Sequence, residues 1–174
     1  MSLEEITNTV ANINPEPVGI FTLPNQKHLK YKNAILKILK ETPRDSELFA
    51  NMRLSSRLCH DNDLHIFEQF QQLKDLEKDI HTVLISYISR IGSLCDRMVI
   101  NDAWVNEDGQ AATLGFHYHT NSYLSGTYYV NYDNKMHTPL SFVNDRFTAN
   151  RKGPSIDIPE NENLPTAIIF SLYN

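Results

Sequence analysis

At 174 residues the chain is long enough for one domain with a real core, and 16 basic against 21 acidic residues give a formal net charge of -5, which argues against a dedicated nucleic-acid binder. Cys59 and Cys95 stand apart without a metal-knuckle spacing, so reduced thiols in a cytosolic protein are expected rather than a disulfide scaffold. No apolar run approaches bilayer-spanning length, and the acidic start at Glu4 and Glu5 lacks a basic region followed by an apolar one, so neither membrane insertion nor secretion is indicated.

The chain divides into a mainly helical part (1–96) and a strand-rich part (97–174) of one domain. Residues 14–24 are punctuated by Pro15, Pro17, Gly19 and Pro24, with Val18, Ile20, Phe21 and Leu23 making one short strand. Asn25 then caps a helix over 25–40 that carries Leu29, Ile35, Leu36, Ile38 and Leu39, and Thr42-Pro43 end it. Lys27, Lys30, Lys32, Lys37 and Lys40 on that helix read as a solvated face, because no aromatic residues interleave for base stacking. Residues 44–70 carry few periodic signals. His60, Asp61, Asp63 and His65 are metal-ligating types, but their spacing matches no standard site and a polar loop accounts for them.

The clearest element comes next. Leu73, Leu76, Ile80, Val83, Leu84, Tyr87, Ile88 and Ile91 recur at three and four residues, and Gly92 supplies the stop. That stripe is core material for a helix expected to pack on a sheet. Strands follow at 98–106, 111–119, 123–132, 139–143, 156–158 and 166–173, with a turn at Glu107-Asp108-Gly109 and another at Asp133-Asn134. Short antiparallel hairpins preceded by helices imply an α+β protein in which helices brace a β-sandwich or jelly roll. Residues 144–164, rich in Asn, Pro and charge, read as a long mobile loop of the kind that often serves as a lid.

His117-Tyr118-His119 carries the strongest chemical signal. Two imidazoles two residues apart on an extended segment point the same way, as a divalent transition metal requires of its ligands. Two solvent-facing histidines on a strand would have the same spacing. The context adds more: Asp102-Ala103-Trp104-Val105-Asn106, a turn with Gly109, the His-Tyr-His, and then Ser125-Gly126-Thr127-Tyr128-Tyr129-Val130. Over about thirty positions this resembles the 2-oxoglutarate/Fe(II)-dependent oxygenases common in bacteriophages and marine bacteria. Thr138-Pro139-Leu140-Ser141-Phe142 resembles the next strand of that family, and the helical part resembles it in layout only.

The resemblance implies a double-stranded β-helix (a jelly roll) with Fe(II) held at its open end. Iron chelated by 2-oxoglutarate would activate dioxygen, the co-substrate would lose carbon dioxide, and a C–H bond would be hydroxylated. His117 would be the first metal ligand, and His119 stands where related oxygenases place a carboxylate, which departs from the usual two-His-one-acid set. Asn106, Ser125 and Tyr129 become candidates for the 2-oxoglutarate pocket, with ordinary strand packing as their alternative role; Ser125 and Tyr129 share one strand face at a spacing of four. A second departure lies toward the end. The family's distal His and its carboxylate-pairing Arg have no counterpart: His137 comes too early, and Arg146 and Arg151 fall in the polar loop.

About six strands are expected where a jelly roll has eight. Two expectations follow: a fragment of a longer enzyme, lacking roughly 30 residues, or a complete protein that kept the fold and lost catalysis. The second would be a structural or interaction protein such as a phage virion component, pairing with itself or a virion partner through an exposed strand edge. Location follows suit, the cytoplasm of a bacterial host or the virion. A cupin site falls behind, because residues 120–125 contain no acid, and Ser125-Gly126 lacks the frame of a nucleophile elbow.

Overall fold

The computed structural model describes residues 7–13, 16–42, 56–58, 65–95, 97–107, 119, 122–133, 140–141, 155–156 and 168–172. Its first helix, α1, runs Asn25–Glu41 and buries Tyr31, Ile35, Ile38 and Leu39, residues four, three and one apart on a single stripe. Asn25 does not cap it. Pro24 occupies the cap position, no side chain bonds the free N–H groups there, and Asn25 is already the first helical residue. Proline suits that boundary because its ring fixes φ near the helical value. At the other end Thr42 turns extended, its N–H donating to the Ile38 carbonyl at 2.9 Å, as the Thr-Pro signal implied.

A short helix, α2 (Ile66–Gln69), and a 3-10 turn (Gln71–Leu73) lead into α3, Lys74–Arg90. Leu73, Leu76, Val83, Leu84, Tyr87 and Ile88 of the expected stripe are buried, and Ile80 and Ile91 pack at its margin. Gly92 follows at φ 78, the left-handed conformation that glycine adopts without steric cost. His65, the described member of the polar His-Asp cluster, heads α2; its N–H donates to the Glu68 carboxylate at 3.2 Å. Residues 60, 61 and 63 lie outside the described residues.

The helices brace a four-stranded antiparallel sheet. It is built from β1 (Thr7–Ile13), β2 (Glu16–Thr22), β5 (Leu124–Tyr128) and β8 (Ile168–Leu172), in the order β1-β2-β8-β5. The strand expected around Val18–Phe21 is β2, and the expected last strand is β8. β1 has no counterpart among the sequence expectations. Two further pairs complete the described strands: β3 (Ser56–Leu58) with β4 (Val105–Glu107), and β6 (Leu140–Ser141) with β7 (Ser155–Ile156). The helical part therefore contributes two strands to the main sheet. Residues 98–104 are irregular rather than strand, and Glu107 belongs to β4 rather than to a turn.

Register fixes which residues share a face. Phe21 pairs with Ile168, which pairs with Tyr128, and Gly19 pairs with Phe170, which pairs with Gly126. Phe21, Leu124 and Tyr128 face the helices: Phe21 is fully buried, and Tyr128 and Leu124 pack against the core cluster. The contact is close at Gly19, where a Cβ would meet Cδ2 of Tyr87 at 2.5 Å and Cε2 of Phe21 at 2.8 Å. Tyr87 is held there by its hydroxyl, which donates to the Pro17 carbonyl at 2.7 Å. The other face carries Val18, opposite Ser171, and Ser125, opposite Ser171 from the far side. Val18 is only 2% exposed on this second face, Ile20 and Ser125 are partly buried, and Thr127 is exposed.

Candidate functional site

Alternation along β5 sends Leu124 and Tyr128 toward the helices and Ser125 toward the second face. There the Ser125 hydroxyl lies 2.7 Å from Nδ1 of His119. The His119 ring meets the indole of Trp104 edge-on, with centroids 5.2 Å apart and planes at 72°. Trp104 is set by its own neighbours. The Ala103 carbonyl accepts the Ile66 N–H at 2.9 Å, and Ala103 and Val105 pack against the core. Three segments singled out in the sequence, the Trp-x-Asn, the His-x-His and the Ser-Gly strand, thus meet at one imidazole.

The other candidates fall differently. His117 lies outside the described residues. Asn106 is exposed on β4, in register with Arg57 of β3. Tyr129 follows the end of β5, so the period-two alignment with Ser125 does not reach it; its ring sits edge-on to Tyr132 at 5.4 Å. Residues 137, 146 and 151 lie outside the described residues, as does most of the 144–164 segment apart from the β7 positions. No group of three or more His, Cys, Asp or Glu side chains with metal-site geometry occurs among the described residues. With Nδ1 engaged by Ser125, coordination by His119 would run through Nε2. A neutral imidazole with one nitrogen so held is a donor of the right chemistry for a divalent transition metal.

A second polar cluster was hidden from sequence reasoning. Asp79, 5% exposed on the apolar stripe of α3, accepts from Lys27 Nζ at 2.9 Å on each carboxylate oxygen and from the Tyr31 hydroxyl at 2.7 Å. Beside it His28, on α1, places Nδ1 2.8 Å from the Tyr128 hydroxyl of β5, with the rings edge-on at 5.9 Å. Lys30 pairs with Asp75, and Lys32 donates to Asn131 at 2.7 Å, so the lysine-rich side of α1 is not merely solvated. It grips α3 and the segment after β5. The missed signal was spacing: His28, Tyr31 and Ile35 recur at three and four, as do Leu76, Asp79 and Val83 with their neighbours, which puts polar groups on core faces.

Burial, with a smaller push from the Lys32 charge, lowers the pKa of His28 to about 4, so the ring is neutral at pH 7. Burial first, then the Asp79 carboxylate, pushes the Tyr128 hydroxyl upward. Tyr31 is also raised, by burial and then by its hydrogen bond to Asp79. None of these groups is poised to exchange a proton near neutral pH, which general acid–base work requires. The cluster ties α1, α3 and β5 together rather than offering a reactive group. Among the described residues no helix is long and apolar enough to cross a membrane. No family model, curated protein or solved structure matches the chain.

Proposed function

We propose that the chain is a 2-oxoglutarate/Fe(II)-dependent oxygenase-like protein on a helix-braced double-stranded β-helix, with His117 and His119 as its metal-facing pair. The observation that carries the reading is the convergence of Trp104, His119 and Ser125. Trp104 and His119, fifteen positions apart in the resembling pattern, come within ring contact, and His119 and Ser125, six apart, within hydrogen-bond distance. A four-stranded antiparallel sheet with helices packed on one face is compatible with that architecture.

Bound iron and 2-oxoglutarate would supply the oxidation of a C–H bond. The chain's own residues do the holding and shielding. Ser125 orients the His119 imidazole, Trp104 packs its ring and displaces water from one side, and β5 carries both Ser125 and the Tyr128 anchor to the helices. Small-molecule co-substrate would enter from the second face, with the substrate class set by the surrounding loops.

The test is an anaerobic titration of the full chain with Fe(II) and 2-oxoglutarate, read as a metal-to-ligand charge-transfer absorption in the visible. A saturable band that His117→Ala and His119→Ala abolish, in variants that keep the wild-type thermal melt, is the expected result. No band from the wild type would overturn the oxygenase reading and favour an interaction protein of the same fold.

A further inference from the structure

We infer that the seam between α1 and β5 is an acid-sensitive latch. When the buried His28 ring takes up a proton, β5 lets go of α1, while α1, α3 and the β1–β2 hairpin stay together. His28 is buried where α1 meets β5, and its Nδ1 lies 2.8 Å from the Tyr128 hydroxyl. A protonated ring keeps that contact, because Nδ1–H can donate to the hydroxyl oxygen. One hydroxyl does not replace the hydration of a buried cation, however, so the ring must reach water to carry its charge. Among the described residues, the titratable and charged groups around it are Lys27, Tyr31 and Lys32 on α1, Asp79 on α3 and Tyr128 on β5. Lys32 opposes a second positive charge. Asp79 is the one carboxylate in this group, and it already accepts from Lys27 on both oxygens and from the Tyr31 hydroxyl.

The route to water is set by which contacts survive. Lys27 and Tyr31 stand on either side of His28 along α1, and both are bound to Asp79. That turn of α1 is therefore pinned to α3 by groups that do not involve the ring, and Lys30 adds an ion pair to Asp75 on the same helix. The hairpin is joined to α3 separately, through the Tyr87 hydroxyl on the Pro17 carbonyl and the close approach at Gly19. β5 has no such independent hold. Among the described residues its side-chain hydrogen bond to the helices is that of Tyr128 with the ring itself, and the Lys32 bond to Asn131 lies beyond the strand's end. β5 is the element that moves. Its release also takes Ser125 from His119, so acid at the α1 seam is felt on the other face of the sheet.

Amide hydrogen exchange of the full chain, scaled to the intrinsic rate at each pH, tests the latch between about pH 6.5 and about pH 5, above most carboxylate titration. The β5 amides are expected to be less protected than those inside α3. Their protection should fall by up to about tenfold per pH unit as acid is added, the slope of one proton taken up on opening. His28→Gln should lose that slope. Equal protection of β5 and α3, which means a single global opening, overturns the inference; so does β5 protection that ignores pH in wild type, or an undiminished slope in His28→Gln. Imidazole proton–carbon NMR of the wild type needs no variant. His28 should stay uncharged wherever β5 remains closed, and a ring that titrates near the ordinary histidine value of 6.5 with β5 still protected overturns the latch.

Discussion

His28 and His119 are two imidazoles, each bonded to a hydroxyl, that differ in burial. His28 is 1% exposed, hydrogen-bonded to Tyr128, and carries a pKa lowered to about 4, mainly by burial. In the unfolded chain the same ring titrates near the ordinary histidine value of 6.5. Between those values the unfolded state binds a proton that the folded state refuses, so His28 makes stability fall as pH drops from about 6.5 toward about 4. Above 6.5 both states hold it neutral and its contribution is flat. Its slope is bounded by one proton, ~1.4 kcal/mol per pH unit. Urea midpoints across that window should fall more steeply for wild type than for His28→Gln, and parallel profiles would remove His28 from the account. Nothing in the spelling of the two histidines distinguishes them; position on a helix's buried stripe does.

At the scale of elements, legibility tracked periodicity. α3 follows its apolar repeat from Leu73 to Ile91, and α1 ends at Thr42, because helices record packing locally in a spacing of three and four. β2 was readable from Val18, Ile20 and Phe21. β1 was not: Thr7–Ile13 holds few large apolar residues, and its partner in the hairpin, β2, supplies the pairing that makes it a strand. The expected strand over 98–106 shrank to Val105–Glu107 because its pairing partner is the three-residue β3. For the candidate site, His119 and Ser125 stand out in the sequence, but their 2.7 Å contact does not, because it depends on how the segments fold back on one another. The tight helix–sheet contact at Gly19 was equally invisible, since glycine there reads as a breaker. In fact it makes room for Tyr87. Gly19→Ala would force a Cβ to 2.5 Å from a fully buried ring anchored at Pro17, so a loss of about 1–3 kcal/mol is expected, the usual cost of overpacking a core. Chemical denaturation of the variant measures it; a neutral result would mean that Tyr87 can move off β2.

Across the whole molecule, strand order sets cooperativity. β8 lies between β2 and β5, so the end of the described chain joins its beginning to its middle. Each neighbour depends on it: β2 pairs with β8 over Val18–Phe21, and β5 over its full length, Leu124–Tyr128. The Tyr128 hydroxyl and the His28 ring add a side-chain tie between β5 and α1, but β5 has no other described strand partner. Loss of β8 would therefore expose backbone groups along both strands, and an edge with open N–H and C=O groups is prone to self-association. It would also cut the backbone link from β5 to the hairpin that packs on α3 through Gly19 and Tyr87. A chain shortened to end at residue 164 is expected to lose its cooperative thermal transition by circular dichroism and to aggregate, while keeping part of the helical signal of α1 and α3. If it instead melts as one sharp transition close to that of the full chain, β8 contributes little and the helices with β1 and β2 are a folding unit of their own. The dependence on pairing so distant in sequence also makes folding slow, because the loop closing β2 onto β8 must form before either strand gains its hydrogen bonds.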